Sequence, residues 1–219
     1  MPNPWEKIEL SDYENHMSLE SVYQLQVLNQ MMKEQYEACE SDSIMILGIA
    51  GGNGLEHIDK DKFRKVYGVD VNPDFLAECK KRYEALGDVL ETVRADLLDE
   101  NLQLPCAGLL VANLLVEYIG YECFQRIVGL TKPSYVSCII QINMGESFVS
   151  DSPYLHAFDC LEEVHHQMDE QSLTECMSQI GYGLKHTVEQ MLPNGKKFVR
   201  LDFIARKKVK RLRSRQVEE

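Results

Sequence analysis

The stretch ILGIAGGNG at residues 46–54 constrains the fold of this chain more than any other feature. An apolar run rich in isoleucine stops at Gly48, and four of the seven positions from 48 to 54 are glycine. A tight turn needs only one or two glycines, so this density indicates that something approaches the main chain where side chains would collide. The stretch therefore predicts a buried strand that ends in a turn whose main chain is approached closely by another group.

Strand and helix patterns alternate downstream of this turn. Predicted strands lie at 43–48, 65–70, 88–96, within 108–116 and at 135–142. Predicted helices lie at 73–86, where Pro73 suits a first helical position, and at 119–131. Such alternation is typical of right-handed crossovers in an α/β fold, a doubly wound and mostly parallel sheet.

The two ends of the chain depart from this alternation. Residues 169–182 predict a last helix, and β-rich runs at 184–192 and 196–206 flank the turn PNG, which predicts an antiparallel hairpin. Residues 18–38 look helical, after an irregular beginning. We expect a helical N-terminal cap at 1–40, a main domain at 41–206 with a lid-like insertion at 144–168, and a basic tail at 207–219.

Composition and charge narrow the class of protein. The 219 residues suffice for one sizeable α/β domain, and 44% hydrophobic with 26% charged residues is typical of soluble proteins. The net charge is −12, and seven basic residues cluster at 206–215, so residues 1–205 hold 16 basic against 33 acidic side chains. Nucleic acid is therefore an unlikely main partner. No apolar run could span a membrane, and seven cysteines without a CxxC pair favour a cytoplasmic location.

Polar side chains follow three of the predicted strands. Asp70 ends the second strand, Asp96 follows the third, and Asn113 ends the fourth. Parallel strands present their carboxyl ends at one edge of the sheet, where α/β proteins bind ligands, so these groups should lie close together. A carboxylate at the position of Asp70 can accept hydrogen bonds from both hydroxyls of a ribose.

The glycine turn lacks the dinucleotide pattern GxGxxG, because His57 occupies the third glycine position. With Ala50, Gly52 and Gly54 in the three glycine positions, it resembles motif I of the class I S-adenosylmethionine-dependent methyltransferases, in particular their small single-domain members. The resemblance implies a Rossmann-like seven-stranded sheet of order 3-2-1-4-5-7-6 with an antiparallel last strand, and S-adenosylmethionine as cofactor. It places the following residues at the cofactor, with Asp70 on the ribose and Asp96 on the adenine: Gly48, Ala50, Gly52, Asp70, Val71, Asp96, Leu97 and Asn113.

Two positions depart from this family pattern. Gly48 stands where the first strand usually carries an acidic residue, and Ala50 replaces a glycine. Glu14 and Glu56 are candidates to supply the missing carboxylate.

Methyl transfer requires alignment more than acid–base catalysis, so the resemblance assigns no fixed catalytic residue. Histidines near the expected pocket are candidate bases: His16, His156 and His165. The substrate pocket is expected to include Tyr13, Met17, Glu117, Tyr118, Tyr154 and Phe158. Glu117 fits equally well as an acidic residue that opens a helix. No metal site is expected, because the adjacent His165 and His166 diverge on any regular element.

The leading hypothesis is a methyltransferase that acts on a small molecule. An NAD(P)-dependent oxidoreductase with a Rossmann fold is the first alternative. A catalytically silent, methyltransferase-like binding protein is the second, because of Gly48 and Ala50. The identity of the acceptor and the oligomeric state are not readable from the sequence.

Overall fold

Seven strands form one sheet in the order β3-β2-β1-β4-β5-β7-β6 in the computed structural model, which describes residues 3–143 and 148–206. The strands are β1 Ser43–Leu47, β2 Lys65–Asp70, β3 Leu90–Arg94, β4 Leu109–Asn113, β5 Tyr135–Ile142, β6 Tyr182–Met191 and β7 Lys197–Ala205. The first five pair in parallel, whereas β7 is antiparallel to both β5 and β6. The predicted strand order and the terminal hairpin are confirmed.

Helices cover both faces of this sheet. They are α1 Leu10–Ser18, α2 Gln24–Glu37, α3 Pro73–Arg82, α4 Val116–Thr131 and α5 Glu170–Gln179. Alternate residues of β1 face opposite layers: Ile44 and Ile46 pack with α2 and α3, whereas Met45 and Leu47 pack with α4 and α5. Both faces of the central strands are buried, which explains their continuous apolar runs.

The glycine turn is not followed by an α-helix. Between β1 and β2 the structure contains only the short 3-10 helix Leu55–His57. Gly54 precedes it with a φ of 87°, a conformation that favours glycine. The turn after β1 therefore offers no row of free helical N–H groups to a phosphate.

The N-terminal 40 residues are more regular than the sequence indicated. The 3-10 helix Pro4–Lys7 and helix α1 occupy the segment expected to be irregular. Asn3 caps the 3-10 helix by accepting a hydrogen bond from the Trp5 amide, and Pro4 takes its first position. This pairing of a polar cap with proline is a helix-start signal that the sequence did contain.

Two parts of the expected domain plan fall outside the described residues: positions 144–147 of the insertion, and the basic tail at 207–219. The rest of the insertion contains the 3-10 helix Leu155–Leu161. Within residues 3–143 and 148–206, no helix is long and apolar enough to cross a membrane.

A candidate ligand site at the carboxyl ends of the strands

An open cleft lies at the carboxyl ends of β1 to β4, and we call it the rim cleft. Its empty volume is about 800 Å³ with the mouth included. Seven of the eight residues expected at a cofactor line it: Gly48, Ala50, Asp70, Val71, Asp96, Leu97 and Asn113. The parallel strands bring these residues together from four separate stretches of the chain, as the sequence predicted.

Asp70 is the organising carboxylate of the rim cleft. It is 9% exposed, and its Oδ2 accepts a hydrogen bond of 2.9 Å from the Ala50 amide. Its Oδ1 accepts one of 3.0 Å from the Asn72 amide. Burial raises its pKa above the ordinary value despite these hydrogen bonds. A carboxylate has about four acceptor positions, so Asp70 fixes the glycine turn and retains capacity for a ligand.

The protein's own side chains explain three of the glycines in the turn. A Cβ on Gly52 would lie 2.6 Å from the ring of Tyr83 and 2.9 Å from the Cys79 sulfur. Gly52, which was expected at the ligand, therefore faces α3 instead. A Cβ on Gly54 would meet Met32, and one on Gly51 would meet the ion pair described next. Only Gly48 and Ala50 of this turn line the rim cleft.

The two glutamates proposed to replace the missing motif carboxylate are already engaged. Glu14 forms a two-pronged ion pair with Arg82 across Gly51, with N–O distances of 2.5 and 3.0 Å. Glu56 accepts hydrogen bonds from Asn29 and from the Tyr83 hydroxyl. Both carboxylates thus hold helices onto the glycine turn, and neither lines the rim cleft.

The N-terminal segment covers one side of the rim cleft. Asn72 Nδ2 donates to the Trp5 carbonyl at 3.0 Å, and the Glu6–Arg94 ion pair adds a second tie at 2.8 Å. Asn3 lies close enough to Asp96 for a weak hydrogen bond of 3.4 Å. As a result, the ring of Trp5 forms part of the cleft wall.

Asn113 lines the rim cleft, but its amide has a partner in the protein. The side chains of Asn113 and Gln35 exchange two hydrogen bonds of 2.9 Å each. Gln35 also donates to Ser137 at 2.8 Å, so the end of β4 is tied to α2 and β5. The side-chain amide of Asn113 therefore fixes the end of β4 through its hydrogen bonds to Gln35.

A second cavity adjoins the rim cleft, and we call it the side pocket. Its empty volume is about 540 Å³, and it shares Trp5, Tyr13, Leu114 and Tyr118 with the rim cleft. The Trp5 and Tyr118 rings meet edge to face at 4.9 Å. Leu114 has a φ of 50°, a strained conformation for a branched side chain, at the point where β4 turns towards α4.

Most of the predicted substrate-pocket residues line the side pocket: Tyr13, Met17, Glu117, Tyr118 and Phe158, together with His16 and His165. Tyr154 instead packs on the apolar cluster formed by Ile8, Phe75, Phe158 and Leu161. His156 is 90% exposed in its side chain and faces Asp159 at 3.2 Å, so its expected place at the pocket is wrong.

The two pocket histidines are poor proton carriers at neutral pH. Burial, with the nearby Lys196 ammonium, lowers the pKa of His16 to about 4. Its Nδ1 lies 2.7 Å from the Ser152 hydroxyl. The pKa of His165 is also lowered by burial, and its ring stacks on Phe148 at 4.1 Å. Both rings therefore serve as walls of the side pocket.

Glu117 is the carboxylate of the side pocket. It is 3% exposed, and Oε1 accepts a hydrogen bond of 2.8 Å from the Gln141 amide. This main-chain amide needs a partner outside the sheet, because β5 continues for three residues after its last pair with β4. Oε2 is buried and has no hydrogen-bond partner in the part of the chain that the structure describes. Burial raises the pKa of Glu117 to about 7.

Sequence reasoning missed several residues of the two cavities. Trp5 and Asn3 lie in a segment read as irregular, although their cap-and-proline signal was present. Gln141, near the end of β5, and Phe148 also line the side pocket, and the local sequence holds no signal for either.

Comparison with solved structures identifies the fold. The methyltransferase domain of bacterial CtHen1-C superposes with a TM-score of 0.63 at 15% identity, over 81% of this chain and 96% of that one. Geranyl diphosphate methyltransferase in complex with GPP and sinefungin gives 0.62 at 11% identity, over 82% and 78%. The chain has the class I methyltransferase fold.

The fold alone does not decide the reaction. The [4+2]-cyclase SpnF superposes with a TM-score of 0.61 at 9% identity, over 82% of this chain and 80% of that one. One fold thus carries different chemistry, so the function has to be argued from the site. No protein-family model and no curated protein matches this sequence.

Proposed function

We propose that this protein is an S-adenosylmethionine-dependent methyltransferase that acts on a small molecule. The rim cleft would hold the cofactor, with the ribose on Asp70, the adenine beside Asp96 and Leu97, and the main chain against Gly48 and Ala50. These residues line one cleft of suitable size, which supports the proposal.

The charge of the rim cleft is the observation that carries this proposal. The cleft is lined by two carboxylates, Asp70 and Asp96, and by no lysine or arginine among the described residues. S-adenosylmethionine carries a sulfonium cation, an ammonium group and one carboxylate, and its net positive charge suits such a cleft. A dinucleotide would bring a pyrophosphate, which needs cations or a helix N-terminus, and β1 is followed by neither.

The side pocket supports a small acceptor. It adjoins the rim cleft along the wall formed by Trp5, Tyr13, Leu114 and Tyr118, and a methyl group would cross there. When bound, S-adenosylmethionine supplies an activated methyl group. The aromatic side chains exclude water from the reacting atoms and align the acceptor with the methyl group. Tyr13 and Tyr118 also present aromatic rings to a cation.

Calorimetric titration tests this function. S-adenosylhomocysteine should bind to the purified protein, and NADH should not. Asp70→Ala should weaken S-adenosylhomocysteine binding by about 1.5–3 kcal/mol, because charged hydrogen bonds are worth that much, whereas Asp61→Ala, an exposed control, should leave it unchanged. Binding of NADH in place of S-adenosylhomocysteine would favour the oxidoreductase alternative. If Asp70→Ala and Asp61→Ala bind S-adenosylhomocysteine equally well, Asp70 does not hold the cofactor and the proposed site is wrong.

A further inference from the structure

We propose that Glu117 recognises the acceptor atom by a proton that this atom carries, and that Glu117 takes the proton as the methyl group arrives. The acceptor is then a small molecule with a hydroxyl or amino group, and not a carboxylate or a thioether. This inference rests on the proposed function, because it places the acceptor in the side pocket and the methyl donor in the rim cleft.

The unpaired Oε2 atom of Glu117 is the first support. Buried polar atoms in folded proteins nearly always have a hydrogen-bond partner, and an unpaired one costs about 1–3 kcal/mol. Oε1 is already fixed by the Gln141 amide, so the carboxylate cannot turn away without losing that bond. Glu117 lines the side pocket, so a ligand there would supply the missing donor.

Much of the side-pocket lining is aromatic. Trp5 and Phe158 contribute rings to the side pocket, and Phe148 with the stacked His165 contributes another pair. The indole N–H of Trp5 is buried and also has no hydrogen-bond partner among the described residues. Two residues of the pocket lining thus hold a polar atom without a partner, one an acceptor and one a donor, beside aromatic rings, which suits a ring-sized body with a polar substituent.

The chemistry balances without any further reactant. A lone pair on the acceptor oxygen or nitrogen forms the new bond to the methyl carbon, and the carbon–sulfur bond breaks with its electrons left on sulfur. The acceptor's proton passes to Oε2 of Glu117, which later releases it to solvent. A carboxylate poised near neutral pH suits this role, because it is basic enough to accept a proton and acidic enough to return it.

Titration of small probes into protein saturated with S-adenosylhomocysteine tests this inference. Trp5 is the single tryptophan of the chain, and it lines both cavities, so its fluorescence reports on them directly. Benzylamine, benzyl alcohol and benzoate share one ring and differ in the polar group. At about pH 8.5, where Glu117 is ionised, the amine and the alcohol should bind about tenfold or more tightly than benzoate, because an anion beside a buried carboxylate is strongly disfavoured.

The variant Glu117→Gln removes the charge and keeps the shape of the side chain. It should bring the three affinities to within about threefold of one another, since about 0.7 kcal/mol or less would then separate the probes, and leave S-adenosylhomocysteine binding unchanged. Glu122→Gln, an exposed change on the same helix, should keep the wild-type order. Equal or tighter binding of benzoate to the wild-type protein would overturn the inference without any variant, and so would a Glu117→Gln protein that keeps the wild-type order. If the wild-type protein does not bind S-adenosylhomocysteine, the proposed function is refuted. The order of probe affinities, measured without the cofactor, would then still test whether Glu117 selects the acceptor.

Discussion

Replacement of Glu117 by glutamine should change how the stability of this protein depends on pH. The carboxyl group is 3% exposed, and burial raises its pKa from 4.5 to about 7. A carboxyl whose pKa is higher in the folded state is stabilising when protonated. Its contribution to stability is therefore present at low pH and is lost as the pH rises from 4.5 through about 7.

The size of the effect follows from the two pKa values. Each pH unit by which a pKa is raised corresponds to about 1.36 kcal/mol, so the ionised Glu117 costs the folded state about 3 kcal/mol at pH 8. Glutamine cannot ionise, and its side-chain oxygen can still accept the hydrogen bond from the Gln141 amide. The free energy of unfolding of the variant minus that of the wild type should therefore rise by about 3 kcal/mol between pH 4.5 and pH 8.

Urea unfolding followed by the fluorescence of Trp5 measures this difference at each pH. Other titrating groups are common to both proteins and cancel in the comparison. Glu122→Gln, on the exposed face of α4, is the matched control, and the rise for Glu117→Gln should exceed any change that this control shows. A flat difference for Glu117→Gln, or one that falls as the pH rises, would refute the argument that this carboxylate is buried and uncompensated.

Two further predictions concern the glycine turn and its neighbours. Gly52→Ala should lower the free energy of unfolding by about 2–4 kcal/mol, because its Cβ would collide with Tyr83 and φ is 90°. Gly181→Ala, with the same φ of 90° and open space around it, should cost only about 1–2 kcal/mol in the same urea assay. Equal losses would show that the contact with α3 is unimportant. Asn72→Ala should cost about 1–2 kcal/mol, because it removes the cap of α3. It should also weaken S-adenosylhomocysteine binding in calorimetry, since the tie to the Trp5 carbonyl is lost, and unchanged affinity would argue against a role of the N-terminal segment at the cleft.

Local sequence patterns predicted the strands and the final hairpin, whereas the strand order came from the resemblance to the methyltransferase family. Continuous apolar runs predicted the buried strands, and the Asn-Gly turn predicted the β6–β7 hairpin. Asp70 and Asp96 were placed correctly at one edge because parallel strands share a direction, so position along the chain fixes position in space.

The reasons for the glycines were not readable in the same way. Gly52 and Gly54 are required by Tyr83 and Met32, which come from α3 and α2. Such long-range packing has no local signature, so the sequence alone favours a ligand as the reason for these glycines. The engaged state of Glu14 likewise depends on Arg82, which lies 68 positions away in the sequence. The hydrogen bond from the Gln141 main-chain amide to Glu117 depends on where β5 extends past β4, and only the assembled sheet determines that.

A crystal structure of the complex with S-adenosylhomocysteine is the most direct test of the central claim. The account predicts that both ribose hydroxyls lie within hydrogen-bonding distance of Asp70, with the adenine beside Asp96 and the sulfur near the wall shared with the side pocket. An adenosine bound elsewhere on the protein, or one in the rim cleft with its ribose turned away from Asp70, would contradict it.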